Sequence, residues 1–133
     1  MTQRNIDVMD IIVTKMVEGA KLSKALESVY KKRNVCIPCV DKYAELEIIS
    51  LGMSRRTTNS FLRARMRTLG ELITFCNSGK KITDISGVGK DAGTEAFEFI
   101  LDYCWDNMDQ DERVSFLIDT VERNSKHIKA DII

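Results

Sequence analysis

The chain has 133 residues, of which 44% are hydrophobic and 30% charged, a balance typical of a folded domain and not of a disordered segment. Its 20 basic and 20 acidic residues cancel, which excludes a polycation that binds nucleic acid through bulk charge. No apolar run approaches the length of a membrane span, and Asp7 and Asp10 interrupt the stretch where a signal peptide would be apolar. We therefore expect a cytoplasmic protein without a membrane contact.

The four cysteines offer little for metal or redox chemistry. Cys36 and Cys39 form a single CxxC pair, whereas a structural zinc site needs a second close pair or a pair of histidines. The only histidine is His127, and a thioredoxin-like motif would need a βαβ context. No catalytic constellation is present either, so we expect a protein that is not an enzyme and that uses no metal or cofactor.

Residues 1–40 are predicted to form a helical hairpin, because two amphipathic stretches are separated by Gly19 and followed by Pro38. The two apolar stripes are Ile6, Met9, Val13, Met16 and Val17, then Leu22, Ala25, Leu26, Val29 and Tyr30. Residues 19–26 also vaguely suggest a helix-turn-helix, with residues 31–33 touching DNA. We favour a hairpin that packs on the rest of the chain or dimerises.

Residues 41–50 are predicted as a short helix or a connector, after which Ser54 can cap a helix over residues 55–67. Five arginines and no acid lie in that helix. Its predicted inward side holds Thr58, Leu62, Met66 and Leu69, and its solvent side holds Arg56, Asn59, Arg63 and Arg67. The helix therefore offers a cationic surface, which indicates a nucleic-acid contact or a solvated helix face.

Gly70 is expected to interrupt the chain before a short helix over residues 71–76, which ends at residues 77–79. Residues 85–90, Ile-Ser-Gly-Val-Gly-Lys, form what we call the glycine loop, and a helix follows over residues 91–105. Backbone N–H groups in such a loop can bind a phosphate, although no P-loop motif is present. A last helix is predicted over residues 111–124, with a tail that frays from Asn124.

An ordered set of short motifs runs through the middle of the chain: Leu51-Gly-Met-Ser-Arg-Arg-Thr-Thr-Asn-Ser-Phe-Leu62, Thr68-Leu-Gly-Glu-Leu72, Ile82-Thr-Asp-Ile85, and Gly87-Val-Gly-Lys90 followed by Thr94-Glu95. In this order the motifs resemble the C-terminal domain of the bacterial RNA polymerase alpha subunit. The resemblance covers roughly residues 45–105. It implies a compact helical domain with a helix-hairpin-helix that binds the DNA minor groove and docks on transcription activators.

The resemblance also implies roles for individual residues. Arg56 would be the arginine that enters the minor groove, with Asn59 and Ser60 beside it, and Gly89 and Glu95 would make further contacts around the hairpin. Two positions depart from the family. Asp91 stands where the family has a second hairpin lysine, and Ala92 stands where it has a serine. Both changes are expected to weaken DNA binding.

The sequence thus predicts an all-α protein with three parts: an N-terminal helical hairpin over 1–40, a compact domain with a helix-hairpin-helix over 45–107, and a C-terminal helix and tail over 108–133. The candidate DNA-binding residues are Arg56, Asn59, Ser60, Arg63, Gly87, Gly89, Lys90 and Glu95. The expected partners are double-stranded DNA with an AT-rich minor groove, RNA polymerase or a transcription regulator, and a second copy bound through the N- or C-terminal helices. The alternative is a non-catalytic protein–protein adaptor that keeps the helix-hairpin-helix as a scaffold.

Overall fold

The computed structural model describes residues 1–31, 35–38, 41–85 and 87–132, except for the side chain of Asp41. Within these residues the chain is helical and forms no strand, which confirms the all-α prediction. Its α-helices are α1 (Gln3–Val17), α2 (Leu22–Val29), α3 (Asp41–Ala44), α4 (Arg55–Arg63), α5 (Leu69–Asn77), α6 (Lys90–Asp106) and α7 (Gln110–Arg123). Short 3₁₀ helices lie at Ile48–Ser50, Ile82–Asp84 and Ser125–His127. Lys32 and Arg33, considered above as DNA contacts, lie outside the described residues, as does Cys39 of the CxxC pair.

The chain divides into two compact units. Unit 1 comprises residues 1–37 and 101–133, and unit 2 comprises residues 38–100. The N-terminal and C-terminal segments of the chain therefore belong to one unit. Unit 2 is a continuous stretch of sequence inserted between them.

Unit 1 is built by α1, α2, α7 and the last residues of α6, and α1 packs against both α2 and α7. Gly19 follows α1 with φ of 108°, as expected of a glycine that ends a helix. The amino end of α2 is capped from α6: the Asp102 carboxylate accepts from the Ser23 N–H at 3.0 Å and from the Ser23 hydroxyl at 2.7 Å. Asp109 and Glu112 form a capping box at the start of α7. The three acids Asp102, Asp109 and Glu112 thus stabilise helix ends.

The predicted inward face of α1 is wrong. The buried side chains of α1 are Asn5, Val8 and Ile12, whereas Val17 of the predicted stripe is 81% exposed. The apolar residues of α1 cover about half of its circumference, so periodicity alone does not decide which part of that arc meets α2 and α7. On α7 the apolar side chain of Val114 is likewise exposed.

The C-terminal tail does not fray at Asn124 as predicted. The Asn124 side chain is fully buried and donates to the carbonyl oxygens of Thr120 at 2.7 Å and Cys36 at 2.8 Å. Its Oδ1 accepts from the Cys36 N–H at 2.9 Å. Beyond it, Ile128 forms an antiparallel bridge with Tyr30. The Asn124 side-chain amide takes the place of a backbone partner for the N–H and carbonyl groups of Cys36. This contact orders the C-terminal tail.

Unit 2 contains α3, α4, α5 and most of α6 around a core that includes the start of the glycine loop. Apolar residues at helical spacing on both sides of the glycine loop predict one core that comprises Leu62, Leu69, Leu72, Ile85, Val88, Phe99 and Ile100. Leu69, Leu72, Ile85, Val88 and Ile100 are buried as predicted. The prediction is wrong at Phe99, which is 38% exposed, while Phe61 on α4 and Phe97 on α6 are buried. Leu62 is half-buried.

Gly70 does not interrupt a helix but lies in the first turn of α5, which is capped by the Thr68 side chain. A Cβ atom at residue 70 would lie 3.0 Å from both the Cβ atom and the carbonyl oxygen of Ala44. Gly70 therefore permits α3 and α5 to pack closely.

None of the helices in the described part of the chain has the length and apolar character that crossing a bilayer requires.

Candidate nucleic-acid interface

The arginine-rich helix α4 begins where the sequence predicts. The Ser54 hydroxyl accepts from the Thr57 N–H at 3.2 Å and so caps the first turn. Arg56, Asn59 and Arg63 are all exposed on this helix. The solvent face predicted for α4 is present in these three residues, of which Arg56 and Arg63 are cationic.

The helix ends at Arg63, earlier than the predicted residue 67. Arg65 adopts a left-handed φ of 63°, and the Met66 N–H donates to the Phe61 carbonyl at 3.0 Å, the arrangement of a helix C-terminal turn. Arg67 therefore leaves the face that carries Arg56. Its N–H donates to the Glu71 carboxylate at 3.2 Å. The cationic surface of α4 is smaller than the sequence suggests.

The glycine loop, described here except for Ser86, reverses the chain between the 3₁₀ helix at Ile82–Asp84 and α6. Gly87 has φ of 87°, a conformation that favours glycine. Val88 is buried and its N–H donates to the Ile85 carbonyl at 3.1 Å. An added Cβ atom at Gly89 has no protein neighbour within 4 Å, so a side chain there would not clash with the start of α6.

The glycine loop and α4 together form an open cavity of about 450 Å³. Its lining comprises Ser54, Arg56, Thr57, Ser60, Gly87, Val88, Gly89, Lys90, Asp91, Ala92 and Glu95. Most of the candidate residues thus come together although they are far apart in sequence. Asn59 is not part of the lining and remains an exposed residue of α4, and Arg63 is connected to the cavity through Ser60.

Ser60 lies beneath this surface and is only 1% exposed. Its hydroxyl lies 3.0 Å from the Arg56 carbonyl oxygen and 3.3 Å from the Gly87 carbonyl oxygen. The hydroxyl oxygen also accepts from Nη2 of Arg63 at 3.3 Å. The Ser60 side chain is therefore used within the protein, whereas the resemblance implies that it sits at the DNA surface.

The cavity contains charges of both signs. Arg56 and Lys90 contribute positive charge, and Asp91 and Glu95 contribute negative charge. Among the residues that the structure describes, neither Arg56 nor Lys90 is held in an ion pair. Both cations are therefore available to an external anion.

The amino end of α6 adds backbone donors to the same cavity. The N–H groups of a helix's first turn have no acceptor inside the helix, and here they belong to residues 90–92. Gly89, which precedes the helix, has no side chain with which to cap them. Three converging N–H groups with a positive helix end can bind a phosphate oxygen.

No group of three or more His, Cys, Asp or Glu side chains in the described ranges is arranged to hold a metal ion. Cys36, Cys76 and Cys104 form no disulfide within these ranges.

Sequence reasoning missed two features of the site. The first is the contact of Ser60 with Arg63, for which the three-residue spacing on one helix was an available signal. The second is the pairing of Ser60 with Gly87, which depends on tertiary packing and has no local signal.

Searches against protein-family models, curated proteins and solved structures each found no match to this chain.

Proposed function

We propose that unit 2 binds double-stranded DNA without catalysing a reaction, as part of a small transcription-associated protein. The supporting observation is the cavity that joins Arg56 of α4 to the glycine loop and to Lys90 at the start of α6. This arrangement puts a long cationic side chain next to a set of backbone N–H donors. Such a pairing suits a duplex, where a groove and a backbone phosphate lie side by side.

In this proposal the first turn of α6 binds one phosphate through its N–H groups, and the Lys90 ammonium adds charge. Arg56 extends from the exposed face of α4 into the adjacent minor groove. A narrow AT-rich groove concentrates negative potential and attracts a guanidinium. Asn59, exposed one turn further along α4, can donate to acceptors on the floor of that groove.

The acids of the cavity limit the affinity. Asp91 and Glu95 repel the same phosphate that Lys90 attracts, so binding is expected to be weaker than for an all-basic surface. Replacing one of these acids with a base should therefore strengthen binding. Asp91→Lys should raise affinity for any duplex and steepen the salt dependence by about one unit.

The balance of charge in the cavity also favours a second candidate, a protein–protein adaptor. Two acids and two bases in one open cavity suit a partner surface that carries both signs, such as RNA polymerase or a regulator. Under this alternative unit 2 keeps its fold but binds no duplex. A second copy of the chain is a further possible partner, and sedimentation over a range of concentrations measures it.

The deciding experiment titrates the protein with matched AT-rich and GC-rich duplexes at two salt concentrations. Arg56→Ala should cost about 1–3 kcal/mol of binding free energy, with the loss concentrated on the AT-rich duplex. Arg67→Ala is the matched control, because Arg67 lies outside α4. Equal losses of binding free energy in the two variants on both duplexes would indicate that binding depends on bulk charge and not on Arg56 entering the groove. No salt-dependent binding of either duplex would favour the adaptor.

A further inference from the structure

We propose that Ser60 and Arg63 form a latch, a pair of linked hydrogen bonds that fixes the glycine loop against α4. Both are then positioning residues and not DNA contacts. The part of this inference that concerns DNA affinity rests on the proposed function. The part that concerns the glycine loop does not.

The Ser60 hydroxyl connects the two halves of the cavity. A serine in a helix commonly bonds to the carbonyl four residues earlier, and Ser60 does so at 3.0 Å from the Arg56 oxygen. The same hydroxyl lies 3.3 Å from the Gly87 carbonyl oxygen, on a different element. Since a hydroxyl has one hydrogen, that hydrogen is shared between or alternates between the two carbonyls. Because Ser60 is only 1% exposed, water does not compete for its hydroxyl.

Arg63 strengthens this connection. Its Nη2 donates to the Ser60 oxygen at 3.3 Å, so the hydroxyl accepts from a cation while it donates to a carbonyl. A donor that carries charge polarises the hydroxyl and strengthens the next hydrogen bond in the chain. Arg63 as a whole residue is exposed, so this hydrogen bond joins a surface side chain to the buried Ser60 hydroxyl.

The glycine loop lies closest to the two side chains of the latch at Gly87. A Cβ atom at Gly87 would lie 3.4 Å from Nη2 of Arg63 and 3.6 Å from Oγ of Ser60. The glycine thus supplies the left-handed φ of 87°, and the two side chains of the latch lie within van der Waals distance of its Cβ position. Because Ser60 bonds Arg56 and Gly87 together, the latch sets the distance between the groove-binding arginine and the phosphate-binding N–H groups.

The first test measures the glycine loop alone, by amide hydrogen exchange of Val88 in the full chain. Ser60→Ala should accelerate this exchange by about fivefold or more, because the loop opens more often when a buried hydrogen bond is lost. Arg63→Ala is a second variant at an exposed position and should act in the same direction. Thr94→Val is the control, because the Thr94 hydroxyl also donates to the carbonyl four residues earlier, that of Lys90 at 3.0 Å, and makes no hydrogen bond to another element within the described residues. Unchanged Val88 exchange in Ser60→Ala and Arg63→Ala overturns the latch.

The second test measures affinity for the AT-rich duplex at two salt concentrations in Ser60→Ala, Arg63→Ala and the double variant. Ser60→Ala should weaken binding about three- to tenfold with an unchanged salt slope, because no charge is removed. Arg63→Ala should cost less in the Ser60→Ala background than in the wild type. Additive losses would contradict the latch and indicate that Arg63 contacts phosphate directly. If the wild type binds neither duplex, the proposed function fails and Val88 exchange alone decides on the latch.

Discussion

Tyr30 is a buried tyrosine whose hydroxyl has no hydrogen-bond partner among the described residues, and it is 2% exposed. Burial disfavours the phenolate and raises the pKa of Tyr30 from 10.0 to about 12. The hydroxyl therefore carries a desolvation cost in the folded state that no described contact offsets.

Replacing Tyr30 with phenylalanine tests this directly. In the wild type, unfolded Tyr30 ionises near pH 10 while folded Tyr30 stays neutral, so its contribution to stability is lost as pH rises from 10 towards 12. The loss is up to roughly 2–3 kcal/mol at about 1.4 kcal/mol per pKa unit. Tyr30→Phe should raise the free energy of unfolding by about 1 kcal/mol at pH 8. Above pH 10 the variant should lose less stability than the wild type, because phenylalanine does not ionise. Urea unfolding of both proteins at pH 8 and 11 measures the difference; parallel pH profiles would contradict it.

Gly87 and Gly89 lie two residues apart in the glycine loop but should respond differently to alanine. Gly87→Ala forces a left-handed φ of 87° on a side chain that also approaches Arg63, so we expect a loss of about 1–3 kcal/mol of stability. Gly89→Ala has free space and should change stability by less than about 0.5 kcal/mol.

The variants Gly87→Ala and Gly89→Ala also separate an effect on folding from an effect on DNA binding. If a phosphate approaches the N–H groups after Gly89, Gly89→Ala should weaken the duplex complex while the melting temperature stays close to that of the wild type. Thermal unfolding and duplex titration of both variants provide the measurement. A large loss of stability in Gly89→Ala would mean that the geometry of the loop differs from that described.

At the scale of single elements, α1 has one buried and one exposed apolar face. Ile12 is fully buried, so Ile12→Ala should lower the free energy of unfolding by about 2–5 kcal/mol. Val17→Ala, at 81% exposure, should change it by less than about 0.5 kcal/mol. Chemical denaturation of the two variants checks which face meets the core. Similar losses at both positions would show that the exposed face is covered in solution.

The sequence predicted helix ends better than helix faces, and the reason is physical. Ser54 and Gly19 act on their immediate neighbours, so their roles are visible in a short window of sequence. The end of α4 was missed because Arg65, a residue with no turn preference, adopts the left-handed conformation that glycine usually supplies. The buried face of α1 was missed because packing against α2 and α7 selects it.

The candidate site was predicted in part for the same reason. The glycine loop and Arg56 are local patterns, and the structure brings them into one cavity. The burial of Ser60 depends on contact with Gly87, which is distant in sequence, and no periodicity reveals it.

At the scale of the whole molecule, Asn124 connects the two segments that form unit 1. Asn124→Ala would leave the N–H and carbonyl groups of Cys36 without their present partner, so we expect a loss of about 2–4 kcal/mol. Arg123→Ala is the neighbouring control, because it removes only an exposed ion pair with Asp119 and should cost less than about 0.5 kcal/mol. Urea denaturation of the two variants gives the comparison. Equal stability would mean that the two segments are held together without this side chain.

The insertion of unit 2 between the two segments of unit 1 has a consequence for the order in which the protein matures on the ribosome. Every residue of unit 2 is synthesised before α7, which α1 needs as a packing partner. α1 can pair with α2 soon after synthesis, but its contact with α7 must await translation of the whole insertion, so the apolar face with Val8 and Ile12 stays partly uncovered while unit 2 can already collapse. We expect chains arrested before α7 to contain a folded unit 2 and an α1–α2 pair with exposed apolar surface, and such nascent chains are natural clients for a chaperone that shields apolar helices.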